Sequence, residues 1–130
     1  MRTFVSAPYS IIFVHDSGTA IEVPKDIGDR LVCATASCIS IGTLMEYDGK
    51  TMVELSSRIE NPSGARVFSG GLQTPSRRVV VTDANGSTLL STDVPDTQSA
   101  VTIWANDAVS EPDEIWIQVT GVPAASTRSR

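Results

Sequence analysis

No window of about a dozen residues in this chain keeps an apolar stripe at i, i+3, i+4 and i+7 clear of glycine, proline or β-branched crowding. Short alternating or apolar runs recur instead, each closed by turn residues a few positions later. Such a chain has little choice but to build sheets. The pattern predicts strands over 9–15, 30–35, 39–46, 51–58, 77–82, 87–91, 101–105 and 114–120, with 20–23 and 65–68 as short extras. A length of 130 residues leaves room for one core rather than two. The expected architecture is therefore all-β: a single antiparallel β-sandwich of about eight strands over 1–122, with a flattened barrel as the alternative. The segment 123–130 reads as a small, polar, basic tail with nothing in it to pack.

Three strand pairings are legible. The run 39–46 is expected to form a hairpin with 50–58. A loop of Tyr47-Asp48-Gly49 would pair Ile41 with Leu55 and Thr43 with Val53, so that the odd-numbered apolar residues share a face. Gly49 would then take the left-handed position that glycine adopts without steric penalty. Val79-Val80-Val81 joins Leu89-Leu90 through Asp83-Ala84-Asn85-Gly86, and its lack of polar alternation predicts a central strand buried on both faces. Finally, 101–104 pairs with 115–119. With Val101, Ile103, Ile115, Ile117 and Val119 facing the core, Trp104 and Trp116 lie on the opposite face. Residues 60–64 and 70–75 read as the start and end of an irregular connection.

Residue types that do chemistry are sparse. His15 is the single histidine, and no nucleophile stands on a sharp turn to partner it, so it reads as a strand-end residue facing solvent. Cys33 and Cys38 would be roughly 16 Å apart in extended chain and on opposite faces, which makes them structural thiols unless a sharp turn separates them. Asp83, Asn85 and Ser87 imitate the opening of a calcium loop, but the closing bidentate glutamate is missing and the same residues suit a hairpin turn. Gly70-Gly71 precedes no helix start that could cradle phosphate. No metal, cofactor or catalytic function is expected. Arg77 and Arg78, with Arg66, are read as surface cations pairing with neighbouring strands.

One segment stands out. Asp107, Glu111, Asp113 and Glu114 put four carboxylates between strands carrying Trp104 and Trp116. Solvated hairpin loops look like this, and so do acidic, aromatic-flanked contact surfaces for a basic partner. The net charge of −5 disfavours direct binding of a nucleic-acid backbone and suits a basic protein. No run reaches the ~20 apolar residues of a membrane span, and Pro8 breaks the only apolar stretch near the N-terminus, so the expected compartment is cytoplasmic.

The stretch Cys38-Ile39-Ser40-Ile41-Gly42-Thr43-Leu44, continuing through Asp48-Gly49 to Val53-Glu54-Leu55, resembles the competence protein J-like family. That resemblance covers about two-thirds of the chain and implies a compact β-sandwich acting as an acidic inhibitor of a nuclease. It transfers no individual contact residue. Two functions are thus expected from different classes: a non-catalytic protein-binding module of inhibitor type, or a structural accessory protein of a larger assembly such as a phage virion component. A homo-oligomer fits the second.

Overall fold

The computed structural model describes residues 1–25, 27–28, 30–109 and 111–122; the tail read at 123–130 lies outside the described residues. The strands, in chain order, are β1 (Arg2–Val5), β2 (Ile11–Asp16), β3 (Val32–Ala34), β4 (Cys38–Gly42) and β5 (Thr51–Ser56). The second half supplies β6 (Ala65–Gln73), β7 (Arg78–Asp83), β8 (Thr88–Asp93), β9 (Gln98–Ala105) and β10 (Glu114–Gly121). They form two five-stranded sheets. Sheet A runs β1-β5-β10-β9-β6 and sheet B runs β3-β4-β2-β7-β8. The sandwich predicted from the sequence is thus the fold, as two open sheets rather than a barrel. No helix among the described residues is long and apolar enough to cross a membrane.

Strand phase explains the core. In sheet B, Ile12 stands opposite Ile41, and Val14 stands between Ile39 and Val81. In sheet A, Val53 and Leu55 are registered with Ile115 and Ile117, which in turn face Ala105 and Ile103. These side chains are almost wholly withdrawn from solvent and interlock between the sheets as one apolar layer. The valine run of β7 is buried on both faces, as its lack of polar alternation predicts. Its turn into β8 is shaped by Asp83, whose carboxylate accepts the amides of Asn85 (2.9 Å) and Ser87 (3.0 Å) while Gly86 sits at φ 85°. That side chain is engaged as a turn brace.

The 39–46/50–58 hairpin does not form. β4 lies in sheet B beside β2 and β3, whereas β5 lies in sheet A between β1 and β10. The connection 43–50 therefore crosses from one sheet to the other, and Ile41 and Leu55 face the core from opposite sides. β5 and β10 run parallel, the one parallel pairing in the described sheets. The first predicted strand begins at Ile11, because residues 7–10 form a tight turn closed by the Ser10 amide on the Ala7 carbonyl (3.0 Å), and β1 precedes it at Arg2–Val5. Segment 20–23 is not a strand. β6 continues through Gly70-Gly71 to Gln73, in place of an irregular connection. A Cβ at Gly70 would stand 2.8 Å from the tip of the Phe68 ring, which would have to move aside.

Cys33 and Cys38 belong to a tight β3–β4 hairpin in which Cys33 pairs with Ser40 and the Thr35 amide donates to the Cys38 carbonyl (2.8 Å). The turn places both on the same, outward side of sheet B, correcting the expectation of opposite faces. Both are buried free thiols.

Candidate functional site

At one end of the sandwich three connections meet: the corner 6–10, the crossing 43–50 and the loop 106–113. Main-chain bonds tie them together. The Thr43 amide donates to the Ser10 carbonyl (2.9 Å), Leu44 to Pro112 (2.9 Å) and Met52 to Asp113 (2.7 Å). The Ser6 hydroxyl reaches the Gly49 carbonyl at 3.4 Å, and the Tyr9 amide lies 3.5 Å from Glu46 Oε1. The scaffold is therefore fixed, yet its side chains point outward. Tyr47 is 88% exposed, Tyr9 80%, Val109 76% and Met45 48%. Glu46 and Asp48 stand on the crossing 43–50, and Asp107 and Glu111 on the loop 106–113. An open depression of about 520 Å³ lies beside them, its lining including Tyr9, Met45, Val109 and Glu111 together with Arg30 and Leu31. Large apolar side chains interleaved with charge, on backbone that is itself well bonded, are the composition of a protein-contact patch.

The carboxylates singled out in the sequence have different tasks. Asp107 turns the loop, its Oδ1 accepting the Val109 amide at 2.9 Å and its Oδ2 the Glu111 amide at 3.4 Å. Asp113 accepts the Asn106 side-chain amide at 2.6 Å, and Asn106 Oδ1 in return accepts the amides of Asp113 (3.2 Å) and Glu114 (3.1 Å). These bonds hold the strand ends of β9 and β10 together. Glu111 is exposed and borders the depression. Glu114 is half-buried on the outer face of sheet A, registered with Met52. Ser110 lies outside the described residues.

Trp104 and Trp116 face each other across β9 and β10, on the outer face as the alternation predicts. They are the middle of a cross-strand row: Arg2, Glu54, Trp116, Trp104, Arg66. Arg2 bonds Glu54 at 2.8 Å at one end of it. Trp116 is only 7% exposed, because Ile59 and Met52 pack with it and Trp104 into a second, smaller apolar cluster. The Ile59 amide is pinned there by Gln118 Oε1 at 3.0 Å. Trp116 is thus covered within the domain, and the most exposed aromatic rings are Tyr47 and Tyr9 at the loop end, followed by Phe4 on the edge strand β1. The strand pattern singles out neither tyrosine, although an aromatic residue inside the turn Tyr47-Asp48-Gly49 has no strand face to bury against and so signals its own exposure.

Elsewhere the polar groups are structural. His15 is half-buried rather than facing solvent. Its Nδ1 lies 2.8 Å from the Asp16 carbonyl oxygen and its Nε2 3.1 Å from the Thr82 hydroxyl, which suits the Nδ1-protonated tautomer with Thr82 donating. Asp16 is 2% exposed. Burial alone would raise its pKa, but hydrogen bonds from the Ser76 and Thr19 side chains and the Gly18 and Ser76 amides outweigh it and hold the carboxyl below its usual value. Burial pushes the Cys38 thiol up to about 11, which keeps it protonated and unreactive. Arg78 pairs with Asp93 at 2.7 Å, the role expected of it. Among the described residues, no three His, Cys, Asp or Glu side chains gather as metal ligands would.

No family model and no curated protein matches the chain. Among solved structures, the fold is similar to the crystal structure of ComJ, inhibitor of the DNA degrading activity of NucA, from Bacillus subtilis. The TM-score is 0.67 over 94% of this chain and 96% of that one, at 14% sequence identity. The resemblance carried by residues 38–55 thus holds at the level of the whole fold.

Proposed function

We propose that this chain is a non-catalytic protein-binding module of inhibitor type, which docks its loop end on a basic surface of a DNA-degrading nuclease. The observation that carries this reading is the set of exposed Tyr9, Tyr47, Met45 and Val109 side chains standing among carboxylates on a hydrogen-bonded scaffold. Likeness over nearly the full length of a known nuclease inhibitor supports it, as does the net charge of −5. In this reading Glu111, Glu46 and Asp48 steer the basic partner, while Asp107 and Asp113 hold the loop in shape and add charge. Glu114, Trp104 and Trp116 flank the contact from the outer face of sheet A. Inhibition follows from occlusion: an acidic body seated on the groove competes with the DNA backbone for the same cationic side chains. The free thiols suit a reducing cytoplasm.

The test titrates the purified chain into DNA degradation by the nuclease of its own organism. The expected result is near-stoichiometric inhibition that weakens with salt. The pair Asp107→Asn with Glu111→Gln should slow association several-fold at low salt, since it removes two steering charges while the asparagine oxygen keeps the shorter of the two turn bonds, that to the Val109 amide. Absence of inhibition, with the protein eluting as a large ring or shell, would replace this reading by the assembly component.

A further inference from the structure

We propose that the Tyr9–Ser10 corner is a preorganised anchor: two successive left-handed residues hold the Tyr9 ring away from the sandwich so that a protein partner closes over it. This rests on the protein-binding reading and names the residue through which it acts. Tyr9 has φ 59° and ψ 16°, and Ser10 has φ 58°. Side chains of L residues avoid this region, and the exceptions are mostly glycine, asparagine and aspartate; neither residue here is one of these. Two in succession persist only when the surroundings dictate them.

The surroundings do so from both sides. Ala7 is fully buried in the core, the Ser10 amide donates to the Ala7 carbonyl (3.0 Å), and the Ser10 carbonyl accepts the Thr43 amide (2.9 Å). Directly afterwards Ile11 enters β2. Yet the fold draws no packing from the ring thus produced, which is 80% exposed. Glycine at position 9 would make the same corner without strain. A tyrosine therefore serves something outside the domain. A stiff aromatic side chain has few rotamers to lose on contact, so holding it in place beforehand removes an ordering cost from binding. The depression bordered by Met45, Val109 and Glu111 gives the partner's own side chains a seat beside it.

The experiment uses Tyr9→Gly, Tyr9→Phe and Ser10→Gly, each measured for thermal unfolding alone and for inhibition of plasmid degradation by the nuclease of the same organism. Both glycine variants should raise the Tm by a few degrees, roughly 2–5 °C, as strain is relieved. Tyr9→Gly should raise the half-inhibitory concentration by about tenfold or more, and Ser10→Gly, which keeps the ring but frees its pose, by about threefold. Tyr9→Phe should stay within about twofold. A residue with a merely structural role would lose stability and inhibition together. A lower Tm in both glycine variants overturns the strain premise, and unchanged inhibition by Tyr9→Gly overturns the anchor. Wild-type protein that leaves the nuclease untouched overturns the underlying protein-binding reading, and the anchor with it.

Discussion

Two aromatic regions of this molecule have opposite fates. On the outer face of sheet A, Trp104 and Trp116 stand opposite each other, and the chain folds Ile59 back over them. At the loop end, Tyr9 and Tyr47 stand out with nothing of their own chain over them. The difference lies in the backbone beneath. A ring on a central strand has neighbours at fixed spacing on both sides and is readily covered, whereas Phe4 on the edge strand β1 stays exposed. A ring on a turn has none, and stays available. Large aromatic residues therefore mark a contact surface only where the backbone fails to cover them.

The sharpest way to break this comparison is to truncate one ring from each region. Trp116→Ala should lower unfolding free energy by about 3 kcal/mol, read from urea denaturation, because it empties a covered site. If stability barely changes, the cluster is not structural and the tryptophans return as contact residues. A smaller effect comes from comparing carboxylates. Asp16 is a buried brace with a lowered pKa, so its stabilisation is complete above the unfolded value of about 4 and is lost as pH falls through the folded value. Asp16→Asn should cost about 2 kcal/mol at pH 7 and progressively less below about pH 4, measured by unfolding across that range. Smallest of all, Tyr47→Ala should leave stability within about 0.5 kcal/mol while weakening binding to the nuclease. A larger loss of stability would move Tyr47 into the structural class with Trp116.

Parts of this are legible in the residues alone. The β9–β10 alternation dictates the pairing and the outward tryptophans, since one hairpin with one buried face leaves a single consistent register. The turn at Asp83–Gly86 is equally plain. The 39–58 stretch misleads for a physical reason: Ile39, Ile41, Val53 and Leu55 must face a common core whether their strands pair side by side or stand across it. Strand phase is identical in the two arrangements. Nor does a parallel contact between 51–56 and 114–121 leave any local mark. In β6 two adjacent glycines suppress the strand signal, and at Tyr9 and Ser10 the absence of glycine hides a left-handed corner. The acidic loop is visible, but which aromatic residues accompany it depends on the crossing 43–50, and that only the fold reveals.

The place of β10 in sheet A has a consequence for folding. Of the ten described strands it is the last in sequence, yet it lies in the middle of its sheet, with β5 on one side and β9 on the other. Without it, sheet A is split into the pair β1 with β5 and the pair β9 with β6, each with an open edge able to pair with the wrong strand, while β2 and β7 still join the two halves in sheet B. Sheet A is therefore closed by the last of its described strands, and mispairing along those two edges is the misfolding route that its topology leaves open.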